Sequence, residues 1–227
     1  MTPAPAAAPS AALPTLRLVD VACRRGERLL FAGLQAALAP GELAWLRGGN
    51  GRGKTSLLRL VAGLAAPERG QILWDDAPVR GNAAYARALT FVAHANALKD
   101  DLTALESLAF LARVHGRPAD GPTLRAALAR LGLGGRERMP TRSLSQGLRR
   151  RVALARLALD AAPGLWVLDE PFDALDVGAT AALHEILAEH RARGGSVLLT
   201  SHHLHLDAQA QVTRTIDLDA LPVGEPA

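Results

Sequence analysis

Residues 48–55 read Gly-Gly-Asn-Gly-Arg-Gly-Lys-Thr, a full match to the phosphate-loop spacing G-x-x-x-x-G-K-[ST]. That pattern is an anion cradle. Gly48, Gly51 and Gly53 permit backbone angles and close approaches that a side chain would block. The loop's main-chain N–H groups, from Gly49, Asn50 and Arg52 through to Ser56 at the helix start, then turn inward beside the positive end of a helix dipole. Lys54 is placed to reach the β- and γ-phosphates of a nucleotide, and the Thr55 hydroxyl to ligate Mg²⁺. A merely glycine-rich surface turn would not need all four fixed positions or an apolar run on each flank.

Two further constellations lie downstream. Leu165-Trp166-Val167-Leu168 ends in Asp169-Glu170, as a central strand does when it delivers carboxylates to the edge of an open α/β sheet where ligands bind. Asp169 would hold Mg²⁺ directly or through water, and Glu170 would polarise an attacking water. Alone the pair could simply cap a turn; after a complete phosphate loop it carries much more weight. Leu144-Ser145-Gln146-Gly147-Leu148 sets a serine at a helix start with a glycine two residues on. A second phosphate could meet the Ser145 hydroxyl, the Gly147 N–H and the helix dipole, although in isolation an ordinary N-cap is the simpler reading. His202, His203, His205 and Asp207 could be taken for a metal cluster. The place of His202 directly after a strand suits a role beside the phosphates better, with His203 and His205 solvated.

The elements that must position these residues alternate. Residues 15–38 carry alternating apolar and polar residues around Gly26 and Gly33 and predict short antiparallel strands. Strands are expected at 42–46, 71–74, 89–93, 165–168 and 196–200, and helices at 55–61, about 122–131, from Ser145, and about 177–193. Thr103 with Glu106 forms a capping box ahead of a further apolar helix face. This order predicts an α/β fold with a mainly parallel sheet, a small antiparallel β-subdomain, and a helical subdomain over about 100–160. The Ala/Pro-rich residues 1–14 are read as a disordered tail, 15–220 as one domain, and 221–227 as a loose end.

Hydrophobic residues make up 49% of the chain, enough for a sizeable core, but only 4% are aromatic, so Leu, Ala and Val must build it. The formal charge is +4, and Lys54 and Lys99 are the only lysines. The arginines are scattered, which argues for solvated faces rather than a nucleic-acid or membrane patch. Arg149-Arg150-Arg151 points to different sides of its helix and is read as a solvated face or a partner contact, so no nucleic acid is expected. Cys23 is the only cysteine, excluding an intrachain disulfide or a cysteine-based zinc site. No apolar run approaches the ~18 residues of a membrane helix; the nearest, 152–168, is broken by Arg156, Asp160 and Pro163. A membrane-spanning part, if the process needs one, belongs to another chain.

Taken in order, these motifs resemble the ATP-binding subunits of ABC transporters: the loop at 48–55, a signature at 144–148, Leu168-Asp169-Glu170-Pro171, then Ala174-Leu175-Asp176, then Thr200-Ser201-His202. The resemblance spans roughly residues 15–217. It implies a P-loop NTPase fold of the ABC type and a head-to-tail homodimer. ATP with Mg²⁺ would lie between the phosphate loop of one copy and Ser145 and Gly147 of the other, with Asp176 aligning the two sites. It also implies that His202 contacts the γ-phosphate and that Glu170 activates water while Lys54 offsets phosphate charge. Gln146 and Leu148 stand where the family usually has Gly and Gln, Ala95 stands between His94 and Asn96 in place of a glutamine, and Arg25 falls near the site of the usual adenine-stacking aromatic. A guanidinium can stack on a base plane.

Local segments such as 29–34, 71–74, 102–106 and 149–157 are similar to one branch, the ATP-binding subunit of the cytochrome c biogenesis (haem exporter) system. That similarity implies a peripheral protein on the cytoplasmic face of the inner membrane, with integral-membrane partner subunits. Its ATP hydrolysis would drive haem export or release of a haem chaperone, the haem being handled by the partner chains. The alternatives are the ATP-binding subunit of another ABC exporter or importer, and a soluble ABC-type ATPase acting on nucleic acid or ribosomes. A nucleotide sensor without hydrolysis is opposed by the intact Glu170 and His202.

Overall fold

The computed structural model describes residues 13–202 and 211–223. Its first layer is an antiparallel sheet. β1 (Leu16–Arg25) and β2 (Arg28–Leu38) form one long hairpin, paired from Leu16↔Leu38 to Arg25↔Arg28, rather than the short strands expected. Register shifts within β1 absorb the breaks in alternation that make the sequence read as shorter pieces. β4 (Arg69–Trp74) pairs antiparallel along the other side of β1, and the two-residue β5 (Ala77–Pro78) closes the edge, where a proline costs no ladder bond.

The second sheet is wholly parallel, in the order β6-β7-β8-β3-β9, with β3 at Leu43–Arg47, β6 at Leu89–Val92, β7 at Leu165–Leu168, β8 at Ser196–Thr200 and β9 at Arg214–Asp217. The sequence does not announce β9. It is an edge strand in which only Ile216 is buried, so it lacks the apolar run that marks β7 and β8. Every β7 side chain is buried, as a parallel strand covered on both faces requires. Trp166 and Leu168 pack with the helical layer; Leu165 and Val167 pack with α1 (Lys54–Val61) and the antiparallel sheet. Each such side chain contributes about 1.5–3 kcal/mol, so the carboxylates at the end of β7 sit on a rigid mount.

Between β5 and β6 in the sequence comes α2 (Ala83–Ala88), unforeseen because it is only six residues long; the Asn82 side chain caps it by accepting from the Ala84 and Tyr85 N–H groups. The helical subdomain holds α3 (Ala104–Val114), α4 (Gly121–Arg130) and α5 (Gln146–Ala155), which runs on into a short 3₁₀ turn. The Thr103–Glu106 capping box forms as expected. Segment 152–168 is divided among α5, that turn and β7, and no helix among the described residues is long and apolar enough to cross a membrane. α6 (Val177–Ala192) returns along the sheet.

At the end of the sheet away from the carboxylates, His190 of α6 stacks on Trp166 with centroids 3.7 Å apart, and its Nε2 lies 3.2 Å from Gly164 O. Burial pushes the imidazole down from 6.5 to about 4. The unfolded chain therefore takes up this proton first as pH falls. Stability is complete above about 6.5 and is lost down to about 4, by about 3 kcal/mol. Denaturant unfolding at pH 7 and pH 4.5 should show His190→Phe losing less stability over that interval than the wild-type chain; equal losses would remove His190 as the cause.

Candidate functional site

The phosphate loop fills the turn between β3 and α1. Gly48, Gly51 and Gly53 sit at φ of 147°, 77° and 97°, angles that L side chains rarely adopt. A Cβ on Gly53 would also lie 3.1 Å from Leu30 and 3.2 Å from Phe31, so glycine is required there twice over. Lys54 opens α1 and donates to Gly48 O (2.7 Å) and Gly49 O (3.3 Å), folding its ammonium back over the cradle.

The carboxylates meet this loop. Thr55 Oγ1 donates to Asp169 Oδ2 (3.0 Å), and Thr200 Oγ1, from the end of β8, donates to Asp169 Oδ1 (2.8 Å). One hydroxyl on each oxygen fixes the orientation of Asp169, which is itself buried. The Thr55 hydroxyl and the Asp169 carboxylate are hard oxygen donors on one side of an anion cradle, a set that fits Mg²⁺. Glu170 adopts a left-handed backbone at φ 48° and its N–H donates to Thr200 Oγ1 (2.9 Å). Its carboxylate accepts from the His202 N–H (3.0 Å) and lies 3.3 Å from His202 Nε2. Burial raises the Glu170 carboxyl above the usual carboxylate range; His202 opposes the rise, and Asp173 and Asp169 add to it.

A cleft of about 510 Å³ joins these groups. It is lined by Gly49, Asn50, Gly51 and 53–56 from the loop, by Asp169, Glu170 and His202, and by Arg25, Arg28 and Leu30. Arg28 and His94, which also line the cleft, carry no motif, and Thr200 enters the sequence motif only as the residue leading to His202; a polar residue ending a buried strand is the signal for its own role.

Other expected residues stand elsewhere. Arg52 gives its main-chain N–H to Gly49 O (3.2 Å), while its guanidinium leaves the cleft to bind the turn after β9: Asp219 Oδ1 (2.8 Å), Leu221 O (3.0 Å) and Leu218 O. Asp219 also accepts from the Gly49 N–H, and Pro222 O accepts from Ala32 N. Ser145 caps α5, accepting from Leu148 N, and lies outside the cleft of its own chain, as do Gly147 and Asp176. A Cβ on Gly147 would lie 2.5 Å from Ala174 O, so the two segments press together backbone to backbone. Asp176 caps α6 and pairs with Arg151 (2.5 Å).

The arginine triplet is tied into its own chain, and Arg150 is not on a solvated face. Arg149 donates to Thr141 O and pairs with Asp100, Arg151 pairs with Asp176, and Arg150 is buried among main-chain carbonyls. Their spread around α5 aims each at a different neighbour. His203, His205 and Asp207 lie outside the described residues, and among the described residues there is no cluster of metal-binding side chains.

The sequence model of the ABC transporter family matches residues 31–173. A cytochrome c biogenesis ATP-binding export protein CcmA of Aromatoleum aromaticum is 48% identical over 204 residues, covering 89% of this chain and 94% of that protein. Its namesake in Pseudomonas fluorescens is 48% identical over 206 residues, covering 90% and 96%. Among solved structures, an ATP-binding subunit of an ABC transporter superposes with a TM-score of 0.80 at 25% identity, covering 92% of this chain and 89% of that one. A dimeric ATP-binding cassette in a post-hydrolysis state with ADP and Pi shares the fold, with a TM-score of 0.76 at 23% identity over 89% and 93% of the two chains.

Proposed function

The chain belongs to the ABC transporter family of ATP-binding proteins, in its cytochrome c biogenesis branch, and from that premise we propose that it hydrolyses ATP in the cleft between 48–56 and Glu170 to drive a membrane complex that exports or releases haem. The observation carrying the proposal is the junction of loop and strand end: Thr55 bonded to Asp169, with Glu170 beside it facing the same cleft.

In this reading the loop N–H groups and Lys54 bind the β- and γ-phosphates and offset the charge that builds as the γ-phosphoryl group departs. Thr55 and Asp169 would hold Mg²⁺, which when bound would supply positive charge to offset that of the phosphates. Glu170 accepts the proton of the attacking water, and His202, 3.3 Å from it, orients that carboxylate and reaches toward the γ-phosphate. Arg25 and Arg28 supply the planar groups that meet the base. Ser145 and Gly147 serve the nucleotide of a second copy in a head-to-tail dimer; their place outside their own chain's cleft supports that division. The chain works at the cytoplasmic face of the inner membrane, bound to integral-membrane subunits that handle the haem.

Because burial holds the Glu170 carboxyl above its ordinary range, the base is protonated at a higher pH than a free glutamate. The acid limb of turnover should therefore lie above 4.5. His202 draws the Glu170 carboxyl downward, so His202→Ala should move that limb to still higher pH. A pH profile of kcat decides this; a limb that stays put on His202 replacement would separate His202 from Glu170.

The biological assignment is tested by membrane pull-down with the tagged full chain. Co-purification of integral-membrane chains together with haem is expected. Membrane chains without haem would favour another exporter or importer, and RNA in place of membrane chains would favour a soluble ABC-type ATPase.

A further inference from the structure

We propose that Arg150 is the positioning residue by which α5, the helix that Ser145 begins, holds the main chain of His94 and Glu170 in the arrangement hydrolysis needs. Arg150 is 3% exposed, and its guanidinium spans two loops. Nη1 donates to Ala93 O (2.8 Å), His94 O (3.4 Å) and Asn96 Oδ1 (3.1 Å), just beyond β6. Nη2 donates to Asp169 O (2.6 Å) and Glu170 O (2.8 Å), just beyond β7.

Glu170 needs such support. A non-glycine residue at φ 48° persists only where its surroundings over-determine it. Here Thr200 takes its N–H and Arg150 its carbonyl, so both peptide groups flanking the carboxylate are clamped. The rigid planar fork lets one side chain engage both loops, which a lysine ammonium, a single point of charge, does not do. Arg150 touches no reacting group. It acts through Glu170 and His94, and it links them to the helix whose first turn carries Ser145 and Gly147. Movement of α5 when two copies close therefore reaches Glu170 through one guanidinium.

The proposal rests on the reading of Glu170 as the hydrolytic base. Its test uses the full-length chain with steady-state Mg-ATP hydrolysis, nucleotide binding by calorimetry and thermal unfolding. For Arg150→Lys, kcat should fall about tenfold to a hundredfold with KM and nucleotide affinity within about twofold, as expected when a catalytic group is displaced by about 1 Å. Asn96→Ala removes one acceptor and leaves the charge; a smaller kcat loss, about twofold to fivefold with KM unmoved, is expected. An unchanged kcat in Arg150→Lys overturns the proposal, as does a joint fall of kcat and affinity in step with lost thermal stability. If Arg150→Lys does not fold, Asn96→Ala decides by the same kcat-against-KM criterion. A wild-type chain that turns over no ATP would instead strike the ATPase reading and leave no rate for Arg150 to govern.

Discussion

Glu170→Gln is expected to bind ATP at least as tightly as the wild-type chain while turnover falls about 10²–10⁴-fold, the usual cost of losing a positioned general base. The amide matches the carboxylate in shape and keeps an oxygen for the His202 N–H, which now donates to Glu170 Oε2. Thr200 still receives the main-chain N–H at this position, so the left-handed backbone is retained. Neither Thr55, Asp169 nor Lys54 is bonded to the replaced oxygens. What disappears is the ability to take a proton, together with one negative charge beside the phosphates. Single-turnover hydrolysis alongside equilibrium binding checks this, and near-normal turnover in the variant would remove Glu170 from the role.

The second large effect is on affinity. Lys54→Ala should weaken ATP binding by about 10- to 100-fold, because hydrogen bonds to charged groups contribute about 1.5–3 kcal/mol. The ammonium rests on Gly48 O and Gly49 O, contacts with neutral carbonyls that a triphosphate readily replaces. ATP should lose more affinity than ADP, since the side chain reaches toward the γ-phosphate. Calorimetric titration with both nucleotides separates this from general loop damage, which would weaken the two equally. Unchanged ATP affinity would count against the loop's assignment.

The site was legible in the sequence where a single segment carries its own chemistry. The loop needs its glycines, Lys54 and Thr55 in one stretch because backbone N–H groups form the cradle, and β7 must be apolar until its last residue because both faces are covered. What could not be read is what distant segments do together. Arg150 looks like one of three surface arginines until β6 and β7 are seen to end at its guanidinium. Thr200 is one threonine at a strand end until Asp169 and Glu170 are found sharing its hydroxyl. β1 and β2 read as short strands because bulges interrupt their alternation, and β9 was missed because an edge strand buries too little to leave a pattern.

The phosphate loop leans on residues far downstream of it in the sequence. β3, which carries the loop, lies between β8 and β9, and Arg52 and Gly49 are anchored on Asp219. A ribosome making this protein releases Arg52 167 residues ahead of Asp219, so the loop emerges well before that support. A lesion at Asp219 would therefore masquerade as an active-site defect.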